Sequence, residues 1–261
     1  MEMDKREFPI GIMDSGMGGL SVLREALQLM PQENFIYYGD SAHAPYGTKS
    51  TEEIKKLAEN CVSFLIERGV KEIIIACNTA TSAAVSMLRE KYTDIPIIGI
   101  EPALKPAVLG FPGGNILVTA TELTLREKKF RYQLQCYERR ANIYVQSLGR
   151  LVEFVEQGKL DSQELVQYLT EVLEPWRALG LDAVVLGCTH FPFAKEHIRR
   201  VVGERVALID GAEGTAREAA RQLEHRGLMR DERVHGSVQI FQSGKDEEWL
   251  VRAKALLYGC N

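Results

Sequence analysis

The chain has 261 residues and carries 32 Lys and Arg against 36 Asp and Glu, a formal net charge of −4. That length holds one large domain or two medium ones, and the slightly acidic balance leaves no basic footprint for nucleic acid. The charged opening Met1-Glu2-Met3-Asp4-Lys5-Arg6-Glu7 is not a signal peptide, no apolar run is long enough to span a membrane, and five cysteines without a CxxC pair suit free thiols, so a reducing cytoplasm is the expected setting.

Residues 9–13 (Pro-Ile-Gly-Ile-Met) read as a first strand. The turn Asp14-Ser15-Gly16-Met17-Gly18-Gly19 follows, and helical spacing runs from Leu20 to Met30. The glycines form neither a dinucleotide fingerprint nor a P-loop, since no Lys-Ser/Thr follows them. Asp14, a carboxylate at a strand end, is a candidate functional residue, with helix capping by Asp14 or Ser15 as the competing role. Residues 35–38 are a second strand ending at Gly39-Asp40. The loop after it carries Pro45-Tyr46-Gly47, a shaped turn at the same sheet edge, from which Tyr46 either reaches a ligand or packs. His43 in that loop is read as a surface residue. Ser50-Thr51-Glu52-Glu53 is a capping box for a helix that buries Cys61.

The run Ile73-Ile74-Ile75-Ala76-Cys77-Asn78-Thr79-Ala80 is a buried strand that delivers a cysteine to the start of a helix. Residues 95–100 form a fourth strand, where Pro96 marks an edge or a strand start. Glu101-Pro102 is the crossing into a second unit. There, residues 115–119 form a strand ending in Ala120-Thr121-Glu122-Leu123-Thr124, and a single amphipathic helix is expected from Leu125 to about Tyr137. Its Arg126, Lys128, Lys129 and Arg131 are a solvated face, and Cys136 has no companions. Residues 143–145 are a strand and 149–157 a helix with Glu153 and Glu156 beside its apolar stripe. A further helix opens at Asp161-Ser162-Gln163-Glu164 and is expected to bend or break at Pro175. The second cysteine strand, Val184-Val185-Leu186-Gly187-Cys188-Thr189-His190, repeats the context of the first. Pro192 suits the first turn of the next helix. Residues 206–209, a helix from 215, a strand at 238–241 and a helix from about 247 complete the pattern. Cys260 is read as inert.

Alternating strands and helices indicate an α/β protein with mainly parallel sheets. Both cysteines stand at carboxyl ends of strands, where open α/β sheets bind ligands. A thiol at a helix start lies near backbone N–H groups and the positive end of the helix dipole, which favours a thiolate. Three chemistries compete for two such thiols. A zinc site of both cysteines with His190 and Asp14 lacks close ligand spacing. A nucleophilic Cys188–His190 dyad leaves the second cysteine without a task. Acid–base chemistry on opposite faces of one carbon uses both, and needs no metal and no cofactor.

Asp14-Ser15-Gly16, Pro45-Tyr46-Gly47, Ala76-Cys77-Asn78-Thr79-Ala80 and Gly187-Cys188-Thr189-His190-Phe191 resemble, in order, the motifs of bacterial glutamate racemase, of the aspartate/glutamate racemase family. The resemblance runs from about Ile10 to about Gly214. It departs at Ala120, where the family often has Gly, and at Leu148-Gly149, where it often has Cys-Pro. It implies two α/β domains in pseudo-twofold relation, an active site in the cleft between them, and a C-terminal segment returning to the first. The layout expected is 1–100 with 212–261, and 101–211. It implies cofactor-independent interconversion of L- and D-glutamate, supplying D-glutamate for peptidoglycan in cell-wall biogenesis. Cys77 and Cys188 would be the bases, serving D- and L-glutamate respectively, with Asp14, His190 and Glu156 in support. Asp14, Ser15, Tyr46, Gly47, Asn78, Thr79, Thr121, Thr124, Thr189 and His190 would line the substrate site. The expected partner is the small-molecule substrate, and the sequence leaves a homodimer open. A racemase of aspartate or another acidic amino acid, or a silent amino-acid-binding protein, are the alternatives.

Overall fold

Runs of β-branched residues closed by glycine or a capping residue set the elements of the first stretch. A computed structural model describes residues 4–231, 233 and 235–259. It begins with β1 (Ile10–Asp14), α1 (Leu20–Leu29), β2 (Phe35–Gly39), α2 (Thr51–Ile66), β3 (Glu72–Ile75), α3 (Asn78–Lys91) and β4 (Ile97–Gly99). Every residue of β1 and β3 is buried, as expected of parallel strands covered on both faces. The Ser50 hydroxyl caps α2 by accepting the Glu53 N–H at 3.2 Å. The loop between β2 and α2 holds two single turns, Ser41–His43 and Tyr46–Thr48, and the peptide Ala44–Pro45 is cis.

The second stretch contains α4 (Leu104–Gly110), β5 (Asn115–Ala120), α5 (Glu122–Arg126), α6 (Lys128–Tyr137), β6 (Asn142–Ser147), α7 (Gly149–Glu156), α8 (Gln163–Arg177), β7 (Ala183–Leu186), α9 (Lys195–Val202) and β8 (Ala207–Asp210). Three details differ from the sequence reading. Helix α4 was not anticipated. Its Leu104, Ala107 and Val108 pack with Ile116, Val118 and Val185 of the sheet, and Pro106 lies in its first turn, where a missing N–H costs nothing. The single helix expected from Leu125 is two, because Glu127 is extended (φ −65°, ψ 139°); the second of them then buries Phe130 in the core. Helix α8 continues through Pro175 to Arg177. The carbonyl that proline leaves without its helical partner belongs to Glu171, an exposed residue, so the loss falls on the solvent side of the helix. Pro192 sits in a short 3₁₀ turn, Phe191–Ala194, that leads into α9.

The chain ends with α10 (Ala212–Arg226), β9 (Val238–Gln242) and α11 (Glu247–Tyr258); Cys260 lies outside the described residues. Two compact units result. One comprises the residues up to Ile100 together with those from Ala212 onward, and the other Glu101–Gly211. The first holds a parallel sheet of order β4-β3-β1-β2-β9, in which β9 pairs with β2. The second holds a parallel sheet of order β6-β5-β7-β8.

These orders locate a crevice in each unit. In the first, β1 leads outward to β2 on one side while β3 leads to β4 on the other. In the second, β5 leads to β6 and β7 to β8, again in opposite directions. Adjacent strands whose connections diverge leave an opening beyond their carboxyl ends. The β1/β3 opening is bordered by Asp14 and Cys77, the β5/β7 opening by Thr121 and Cys188.

Candidate active site

In the first unit, Cys77 occupies the N-cap of α3, and its sulfur accepts the Ala80 N–H at 3.4 Å. An N–H aimed at sulfur and the positive end of a 14-residue helix both favour negative charge there. The thiol also reaches Ser15 Oγ at 3.5 Å, so the turn after β1 and the start of α3 meet across the opening. Asp14 is fully buried, and its Oδ1 accepts the Gly16 N–H at 2.8 Å, which fixes the turn. Asn78 and Thr79 are buried in the first turn of α3, and among the described residues Asn78 Oδ1 has no hydrogen-bond partner. A buried acceptor left unpaired is expensive unless something else supplies a donor.

Tyr46 is buried and its hydroxyl donates to Asp40 Oδ2 at 2.6 Å. Burial, together with the neighbouring Cys61 and Asp40, pushes this phenol's pKa far up, so it stays a donor. Gly47 follows in the same turn. Asp40, at the end of β2, also receives the Ser243 hydroxyl at 2.6 Å and approaches His43 Nδ1 at 2.8 Å. The sequence reading passed over Asp40. The signal was present, since it is a strand-end carboxylate like Asp14. His43 is half exposed and belongs to this cluster.

In the second unit, Thr121 caps α5, its Oγ1 3.0 Å from Thr124 Oγ1, and both threonines are buried. Gly187 is required at the end of β7. A Cβ there would lie 2.6 Å from the Thr119 carbonyl oxygen, so no other residue lets the chain turn so close to β5. The turn presents Cys188, Thr189 and His190, all nearly buried. His190 bridges two groups, with Nδ1 3.6 Å from Cys188 Sγ and Nε2 2.6 Å from Glu156 Oε1 of α7. Burial alone disfavours the charged ring, but hydrogen bonds to Cys188 and Glu156 outweigh it and raise the pKa well above 6.5.

This has a consequence for stability. A ring whose folded pKa lies above its unfolded value binds more protons in the folded state between the two. Its contribution is full below about 6.5 and is lost as pH rises through the folded value. Urea unfolding across that window is expected to show wild-type stability falling with pH more steeply than that of a His190→Asn variant. Equal slopes would contradict the charged ring.

Each opening therefore holds a cysteine among small polar residues: Cys77 with Ser15, Asn78 and Thr79 in the first unit, and Cys188 with Thr189 and the ionisable His190 in the second. Among the described residues no three of His, Cys, Asp or Glu gather to hold a metal ion. Cys61 is buried under Tyr46, and burial pushes its thiol pKa up; Cys136 is exposed. Cys61 Sγ lies 3.9 Å from the Tyr46 hydroxyl, beneath the loop, and neither thiol stands at the end of a strand.

The profile of the family described as Asp/Glu/Hydantoin racemase matches residues 10–219. A glutamate racemase of Clostridium perfringens (strain ATCC 13124) is 48% identical over 257 residues, covering 98% of this chain and 99% of the relative. Glutamate racemase from Francisella tularensis subsp. tularensis SCHU S4, solved in complex with D-glutamate, matches with a TM-score of 0.83 at 28% identity, covering 97% of this chain and 94% of that one. The Escherichia coli glutamate racemase, solved with L-glutamate and the activator UDP-MurNAc-ala, matches with a TM-score of 0.83 at 30% identity, covering 96% and 92%.

Proposed function

The chain belongs to the Asp/Glu/hydantoin racemase family and is an amino-acid racemase, and on that premise we propose that it interconverts L- and D-glutamate without a cofactor, using Cys77 and Cys188 as two bases. The observation that carries this reading is the duplicated placement of a strand-end cysteine at the β1/β3 and β5/β7 openings. Relatives solved with D-glutamate and with L-glutamate support the substrate in both hands. A role in supplying D-glutamate for peptidoglycan follows from the same reading. A cytoplasmic setting belongs to the same reading, since the four cysteines among the described residues are all free, as suits a reducing compartment.

The chemistry balances with the chain's own groups. One cysteine, as thiolate, takes the α-proton. The C–H electron pair moves into the α-carboxylate, and the other cysteine, as thiol, gives its proton to the opposite face. The roles are exchanged in the reverse direction. An amino acid α-proton is far less acidic than a thiol, so catalysis requires donors that bind the charge as it develops. Asn78, Thr79, Thr121 and Thr189 are the donors of this reading, with Thr124 holding Thr121. The unpaired Asn78 Oδ1 suits the substrate ammonium. Ser15, Tyr46 and Gly47 complete the binding set. Asp14 serves Cys77 as proton partner, and His190, held by Glu156, serves Cys188.

The test is polarimetry on L-glutamate and L-aspartate after dialysis against chelator and hydroxylamine. Glutamate should racemise with kcat/KM about 10- to 100-fold above aspartate, the discrimination that one methylene in a shaped site provides. Equal turnover of the two, or activity restored only by added metal or pyridoxal phosphate, would overturn the assignment.

A further inference from the structure

The loop that carries Tyr46 and Gly47 is gripped from a distant part of the chain. The turn after β9 lies against residues 39–42 through a set of hydrogen bonds. The Ser243 N–H donates to the Gly39 carbonyl at 3.0 Å, and its hydroxyl donates to Asp40 Oδ1 at 2.6 Å while accepting the Ala42 N–H at 3.0 Å. Ser41 Oγ donates to Gln242 Oε1 at 2.8 Å and accepts the Gly244 N–H at 3.1 Å. Below them the buried Trp249 ring of α11 presses on Gly39, where an added Cβ would lie 2.6 Å from the ring. The Asp40 carboxylate passes this grip on, since its other oxygen receives the Tyr46 hydroxyl at 2.6 Å.

We infer that Ser243 is a positioning residue, which holds the Tyr46–Gly47 loop in its substrate-binding geometry through Asp40. The inference rests on the functional reading above and extends it to a segment beyond the family match, which ends at residue 219. The physical case is economy of donors. Asp40 is almost fully buried, and two hydroxyls 197 positions apart, Tyr46 and Ser243, donate to its two oxygens. Hydrogen bonds to a carboxylate are about twice as strong as neutral ones and fix direction. Without the Ser243 hydroxyl, Oδ1 of Asp40 is left to the half-exposed His43, whose Nδ1 lies 2.8 Å away, and to water, and Tyr46 loses a fixed acceptor. The loop should then sample other conformations, at a cost paid in substrate affinity more than in chemistry.

The test is a cycle of Ser243→Ala and Tyr46→Phe in the full chain, read by steady-state glutamate racemisation. Ser243→Ala is expected to raise KM about five- to tenfold, the net worth of one ordinary hydrogen bond, with kcat within about twofold of wild type. Ser243→Thr, which keeps the hydroxyl, should restore KM. In the Tyr46→Phe background, Ser243→Ala should add almost nothing, because the relay is already cut. An unchanged KM in Ser243→Ala, or an equal further rise in both backgrounds, would overturn the inference. Hydrogen exchange separates this failure from that of the functional reading. Amides of residues 41–48 should exchange about tenfold faster in Ser243→Ala, with β1 amides unchanged, whether or not the wild type turns over glutamate. Unchanged protection over 41–48 would end the positioning role on its own.

Discussion

Replacing either Cys77 or Cys188 by serine is expected to lower racemisation in both directions by about 10³-fold, within the range attributed to a positioned acid or base. Serine keeps the shape of the strand end and can accept the Ala80 N–H that Cys77 sulfur now accepts. What it lacks is acidity, since an alcohol gives up its proton far less readily than a thiol. Because each passage through the carbanion needs one group as base and the other as acid, loss of either stops both directions. The half-reaction should survive. The variant retaining Cys188 should still remove the proton from an L-substrate analogue with a β leaving group, and the variant retaining Cys77 from the D-form. If one cysteine were only a packing residue, its serine variant would keep near-wild-type turnover, and that result at either position would defeat the two-base reading.

The second large effect is expected at His190. His190→Asn removes the group between Cys188 and Glu156 and should lower kcat about 10²-fold, with a smaller change in KM. The equilibrium constant of racemisation is one by symmetry, so kcat/KM must stay equal in the two directions for any variant. The defect will therefore appear as unequal kcat and KM values for the two enantiomers that compensate in their ratio. Glu156→Gln should show a weaker form of the same pattern, because the ring keeps its place but loses the carboxylate that favours its charged form. Turnover by His190→Asn equal to wild type would remove the imidazole from the mechanism.

How much of this was legible in the sequence differs by kind of residue. The strands that place the cysteines are short apolar runs ending at a small residue, and burial on both faces forces that composition, so β3 and β7 could be read directly. The Ser50 cap was readable because it involves neighbours in sequence. Helix α4 was not, because Lys105-Pro106 resembles a linker and only its packing on Ile116 and Val185 shows why it folds. The break at Glu127 has no glycine or proline to announce it. The bond between His190 and Glu156 could be expected from family resemblance alone, since nothing local joins a helix residue to a strand end 34 positions away. Asp40 could have been read as a strand-end carboxylate like Asp14, but its bond to Ser243, 203 positions away, could not, since no local pattern records it.

The measurement that bears most directly on the two-base account is the fate of deuterium when pure L-glutamate is converted in D₂O, followed at low conversion. If one cysteine removes the proton and the other delivers one to the opposite face, the D-glutamate formed carries deuterium at the α-carbon while the remaining L-glutamate keeps its proton. Deuterium appearing in the recovered L-glutamate as fast as D-glutamate forms, or an undeuterated product, would mean that one base serves both faces and would contradict the assignment of Cys77 and Cys188.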